Sequence, residues 1–298
     1  MKFKRTALHT ASPQGWEVSL NLGLMSQLAY ASLGAAEATA LAWGFTGARV
    51  LDKGTTEGLV AWDSKCVVVA FRGTQEYPDW ITNLSTLSKR RPYGRLHGGF
   101  YRAFDAVRPG LMDALGAGLK PGKQLWVTGH SLGGALATVM AAEMHGVLPI
   151  SGVHTFGQPR VVNGEAQTFL RTHYAGRFVR FVNNGDPVTA VPPHFDHVGS
   201  LIWFDATGAL KPAVGTRSAR GSRETAMGDE DFKKLKAQMR ARREVLVEEF
   251  EDAPTHPPQP STNSRTTRGN IIPFADHKLA RYLDLVARHA SAGTAYPR

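Results

Sequence analysis

A chain of 298 residues, 42% of them hydrophobic, can bury a large core. Its longest apolar runs, such as Cys66-Val67-Val68-Val69-Ala70-Phe71, fall far short of the roughly 20 residues that cross a bilayer as a helix, and its single cysteine, Cys66, excludes an internal disulfide. The net charge of +10 favours anionic surfaces, yet no zinc-finger spacing, P-loop or strand-borne G-x-G-x-x-G supplies a nucleotide or nucleic-acid mechanism, so no nucleic-acid partner is expected.

In chain order, Met1-Lys2-Phe3-Lys4-Arg5 has the charge of a leader, but the polar stretch Thr10 to Glu17 stands where an apolar region should follow, so no classical signal peptide is expected. The compartment stays open: the cytoplasm is a default, and export without an N-terminal signal is compatible with the chain. From Val18 to Leu33, apolar residues at Leu22, Met25, Leu28, Ala29 and Leu33 predict an amphipathic helix ended by Gly34. Glu57 to Trp62 and Lys65 to Phe71 read as strands joined tightly through Asp63-Ser64, which makes the sheet partly antiparallel. The apolar runs Gln124 to Thr128 and Ile150 to Phe156 flank a helical stretch from Leu132 to His145, a βαβ unit. A helix around Gly164 to Tyr174 follows, then strands at Arg177 to Val182 and Val198 to Phe204. Between about 210 and 268 the composition turns to Pro, Ser, Thr and charge, with Pro254, Pro257, Pro258 and Pro260 crowded after a charged helical stretch from Asp229 to Glu251. This reads as an insertion, partly helical or mobile. Leu279, Tyr282, Leu283 and Val286 form one face of a last helix over Asp276 to His289, with Asp276 at the N-cap. The expected class is α/β, a mixed and mostly parallel sheet flanked by helices, in one domain whose core spans about 15–208 and 269–292.

Gly129-His130-Ser131-Leu132-Gly133-Gly134 stands directly after the strand Leu125-Trp126-Val127 and directly before a helix. That is the context of a nucleophile elbow, a serine on a strained turn whose flanking glycines carry no side chain to clash. The following helix aims its N-terminal amides at the hydroxyl, and the N–H of Leu132 can donate to a developing oxyanion. Serine needs a histidine base held by a carboxylate, in the chain order Ser, Asp, His for this architecture. Asp186 follows the strand Phe178 to Val182 through Asn183-Asn184-Gly185 and fits the middle slot. His194, His197 and His277 all follow it as candidate bases.

These landmarks, with Phe71-Arg72-Gly73-Thr74, Asp79-Trp80-Ile81-Thr82-Asn83-Leu84, His97-Gly98-Gly99-Phe100, Phe156-Gly157-Gln158-Pro159-Arg160, Asn184-Gly185-Asp186-Pro187-Val188 and Asp276-His277, resemble in order and spacing the class 3 (fungal-type) lipase family of α/β-hydrolases. The resemblance implies a serine ester hydrolase, lipase-like, with Ser131, Asp186 and His277 catalytic, and with Thr74 joining Leu132 as an oxyanion donor. It favours His277 as the base and gives His197 a structural hydrogen bond. It also implies a lid over 75–84 carrying Tyr77, Trp80 and Ile81, a lipid or other ester substrate met at a lipid–water interface, and neither metal nor organic cofactor. A phospholipase A1 or short-chain esterase is the alternative within the reaction class. A lipid-binding protein without catalysis is the alternative outside it. One departure from the family pattern is length, since His277 follows Asp186 by 91 positions and the excess falls in the charged insertion.

Overall fold

The computed structural model describes residues 1–10, 12–54, 56–74, 87–211, 227–238 and 274–297. Among them a seven-stranded sheet runs in the order β1 (Gly47–Lys53), β2 (Thr56–Trp62), β3 (Cys66–Phe71), β6 (Gln124–His130), β7 (Ile150–Phe156), β8 (Phe178–Asn183) and β9 (Ser200–Phe204). A separate hairpin pairs β4 (Ser88–Arg91) with β5 (Gly94–His97). The first two pairings of the large sheet are antiparallel and the remaining four parallel.

The central strands are buried along nearly their whole length because both faces are covered. Along β3, Val67, Val69 and Phe71 enter one buried cluster while Cys66, Val68 and Ala70 enter another. On β6, Leu125 and Val127 alternate with Trp126 in the same way. The first cluster is filled from α3 (Gly98–Gly118), α4 (Leu132–Glu143) and α5 (Gly164–His173). The second face is covered by α1 (Trp16–Leu28), α2 (Leu33–Ala42) and α6 (Leu279–Ser291). α1 and α6 cross so closely that a Cβ at Gly23 would meet Phe156 at 3.1 Å as well as Leu283.

The helix expected from Val18 to Leu33 is in fact two. α1 stops at Leu28, and Gly34 lies inside α2 rather than ending a helix. Nor is α1 amphipathic: it is buried on nearly all sides between the sheet and α6, so its apolar residues carry no stripe. The turn between β2 and β3 is held by Asp63, whose Oδ1 accepts from Lys65 N at 2.7 Å and Cys66 N at 2.8 Å, while Oδ2 bonds Arg5 and His9 Nε2. Burial works against ionising Asp63, but these four donors outweigh it and hold the carboxyl well below the ordinary carboxylate range.

Asp276 is not the N-cap of the last helix. It belongs to a 3-10 turn, Phe274–His277, and α6 begins after Lys278. Its carboxylate instead accepts from Asn184 Nδ2 at 2.9 Å and from Gly185 N at 3.4 Å, which ties the turn to the loop carrying Asp186. Of the charged insertion, Leu210, Lys211 and 227–238 are described: the latter stretch is helical from 229, buries Phe232 and Leu235 in the first cluster, and turns Lys233 and Lys234 outward beside Glu230 and Asp231. The rest of the insertion, like Tyr77, Trp80 and Ile81, lies outside the described residues. No helix among the described residues is long and apolar enough to cross a membrane.

Candidate active site

Four chain segments converge at the carboxyl ends of β3, β6 and β8. Ser131 stands between β6 and α4 at φ 57° and ψ −126°, a left-handed backbone that an L-residue adopts only under strain of order 1–3 kcal/mol. The elbow survives because its neighbours are glycines. A Cβ at Gly129 would strike the Gly133 backbone, and one at Gly133 would strike the carbonyl of Phe71. Ser131 N donates to Phe156 O at 2.9 Å, fixing the turn to β7. Its Oγ is buried and makes no hydrogen bond among the described residues, the condition of a hydroxyl held for a partner that arrives later.

His277 comes from the 3-10 turn before α6 and Asp186 from the loop after β8, and the two meet in the interior. His277 Nδ1 lies 2.9 Å from Asp186 Oδ1 and 2.8 Å from Oδ2, with both side chains fully buried. The carboxylate is fixed from other sides as well, accepting from Val188 N at 2.9 Å and from Tyr282 Oη at 2.5 Å. Since a carboxylate only accepts, Nδ1 is the protonated nitrogen, which leaves Nε2 as the basic one.

Two groups hold His277 from behind. His130 Nε2 donates to the backbone carbonyl of His277 at 2.7 Å, and Tyr30 Oη donates to His130 Nδ1 at 2.9 Å. Burial first, and then the neighbouring His277, keep His130 neutral well below the ordinary histidine value. Both of its nitrogens are occupied, so His130 acts as a bracket for the imidazole and does not compete as a base.

The other candidate bases lie elsewhere. His197 Nε2 donates to Thr189 O at 2.7 Å, inside the loop that follows Asp186. His194 is exposed and bonds Asp229 of the insertion. The structure brings neither to the carboxylate of Asp186. Thr74 is half-buried just beyond β3. Gly73 beside it lies against the elbow, where a Cβ would come within 2.6 Å of His130 O, so the chain around Thr74 runs next to Ser131. Leu132 opens α4, at the positive end of its dipole.

Sequence reasoning did not find the roles of Tyr30, His130 or Tyr282. Tyr282 was visible as a member of the apolar face of α6, and its hydroxyl, in a face otherwise of Leu and Val, was the available signal that it serves a polar partner.

Residues 68–195 match the family model described as lipase (class 3). The secreted mono- and diacylglycerol lipase 1 of Fusarium solani is 34% identical over 165 residues, which are 51% of this chain and 49% of that protein. The secreted mono- and diacylglycerol lipase A of Penicillium cyclopium is 30% identical over 162 residues, 50% of this chain and 52% of that protein. The chain thus spans about half the length of the curated relatives it matches. Among solved structures, the triacylglyceride lipase of Rhizomucor miehei superposes with a TM-score of 0.54 at 24% identity, covering 65% of this chain and 81% of that one, a likeness of fold. Over residues 68–195 the chain is thus similar to the class 3 lipases, and its fold is like that of the Rhizomucor lipase.

Proposed function

We propose that this protein hydrolyses carboxylic esters of lipids, with Ser131 as nucleophile, His277 as general base and acid, and Asp186 as its orienting carboxylate. The observation that carries this reading is the strained Ser131 elbow together with a wholly buried His277–Asp186 pair at 2.8 Å. Structural burial alone does not call for a serine with φ 57° and a hydroxyl unbonded among the described residues.

In the reaction, Ser131 Oγ adds to the ester carbonyl carbon as its proton passes to His277 Nε2. The imidazolium is stabilised by Asp186 across Nδ1–H, and the oxyanion is held by Leu132 N–H and Thr74. Collapse breaks the ester C–O bond, and the alcohol leaves with the proton from Nε2. Water then adds to the acyl-serine with His277 as base, releasing the carboxylic acid and restoring Ser131. The names of the Fusarium and Penicillium relatives support acylglycerols as the substrate class.

The test is hydrolysis of p-nitrophenyl esters from acetate to palmitate, with and without micelles, by the wild type and by Ser131→Ala, His277→Ala and His197→Ala. Loss of turnover in the first two variants but not the third is expected, with long chains favoured at an interface. A short-chain profile indifferent to micelles points to an esterase, release of fatty acid from phospholipid points to a phospholipase A1, and lipid binding without any turnover sinks the reading.

A further inference from the structure

Gly157 is the first residue after β7 and sits at φ +56°, in the left-handed region. Its N–H donates to Phe181 O at 3.1 Å, which ties its backbone to the strand that leads into Asp186. A Cβ at this position would lie 2.8 Å from Asp186 Oδ2 and 3.0 Å from both Nδ1 and Cε1 of His277. These are the atoms on either side of the hydrogen bond that orients the base.

We propose that Gly157 is a positioning residue of the relay, whose missing side chain is what lets the carboxylate of Asp186 and the imidazole of His277 meet. The inference rests on the assignment of Asp186 and His277 to catalysis and adds a requirement to it. The identity of the obstructed atoms decides what an added methyl does. At Gly133 the obstruction is the Phe71 carbonyl, a piece of backbone in a central strand, and relieving it means moving the sheet. At Gly157 the obstructed atoms are the ends of two side chains, so relieving the clash means turning a side chain and not moving the sheet. The Asp186 carboxylate is also gripped by Val188 N and Tyr282 Oη, so the bond to His277 is the one that opens. A methyl at residue 157 therefore leaves a folded protein whose base has lost its orientation.

Backbone strain must be separated from this steric effect, because φ +56° is unfavourable for any L-residue. Gly146 is the control: it sits at φ +76°, and nothing lies within 4 Å of a Cβ there. Asparagine tolerates the left-handed region better than alanine but still carries a Cβ. It therefore relieves strain without relieving the clash.

The experiment compares Gly157→Ala, Gly157→Asn, Gly146→Ala and Gly146→Asn by kcat and KM on p-nitrophenyl butyrate. The low-field proton resonance of His277 Nδ1–H is followed in the same proteins, assigned by its loss in His277→Gln. Both Gly157 variants are expected to lose about 10²-fold or more in kcat with KM little changed, and to shift or lose the resonance. Both Gly146 variants keep wild-type values. Recovery of kcat and resonance in Gly157→Asn would reduce the requirement to a dihedral angle, and an unaltered resonance in Gly157→Ala would overturn the proposal outright. Should the wild type hydrolyse no ester, the functional reading fails by itself, while the resonance still decides whether Gly157 governs the contact.

Discussion

Replacing Tyr282 by Phe removes a hydroxyl that works in two directions. It donates to Asp186 Oδ2 at 2.5 Å and accepts from Asn183 N at 3.1 Å, with the whole side chain buried. The ring stays, so no cavity opens. A hydrogen bond to a charged group contributes about 1.5–3 kcal/mol, and a buried N–H left without an acceptor costs about 1–3 kcal/mol. The expected loss of stability is therefore about 3 kcal/mol, which for a domain of this size lowers Tm by roughly 6–12 °C. The effect on rate is smaller, because Asp186 keeps its charge, its bond from Val188 N and its contact with His277. About tenfold in kcat is expected, equivalent to 1.4 kcal/mol of transition-state stabilisation. Asp186→Asn, which inverts the hydrogen bond to Nδ1, should instead cost on the order of 10⁴. Thermal unfolding followed by circular dichroism and steady-state kinetics on one ester decide the matter. If Tyr282→Phe were as slow as Asp186→Asn, or left Tm unchanged, the division of labour between fold and charge drawn here would be wrong.

Acid should destabilise the protein through buried histidines. Burial holds His154 neutral down to about 4 against an ordinary value of 6.5, only partly opposed by its bond to Pro13 O. The folded value is depressed, so the unfolded chain binds the proton first; this stability is full above pH 6.5 and is lost as pH falls through 6.5 toward 4, amounting to about 3 kcal/mol. His154→Gln should flatten the dependence of Tm on pH in that window, and an unchanged slope would refute the assignment. Thr74→Ala is expected to lower kcat about 10²-fold with KM little changed; a near-normal kcat would restrict Thr74 to its backbone N–H.

The elbow was legible in the sequence because its whole specification is local: a strand, a serine between glycines and a helix in one continuous stretch, Gln124 to Glu143. The buried strand β3 was legible because cover on both faces leaves it continuously apolar, and β6 and β7 showed through Leu125 to Val127 and through Ile150, Val153 and Phe156. By contrast β1 buries only Leu51 and β4 is Ser-Lys-Arg-Arg, so neither carries an apolar signal. The break after Leu28 was hidden because Ala29, Tyr30 and Ala31 keep the chain apolar, with no glycine or proline to mark the turn. Asp276 looked like a cap because of its place before a helix, yet its carboxylate is claimed by Asn184 across the site, a partner 92 positions away. The same distance in sequence hid the bonds of Tyr282 and His130 and the closeness of Gly157 to the acid–base pair, which exist only after the sheet and α6 have assembled.

The most direct test of the central claim is covalent labelling with a fluorophosphonate, with the adduct mapped by mass spectrometry. A single adduct on Ser131 is expected, absent in Ser131→Ala and formed about 10³- to 10⁴-fold more slowly in His277→Ala. An adduct on another serine, or labelling at the wild-type rate without His277, would contradict it.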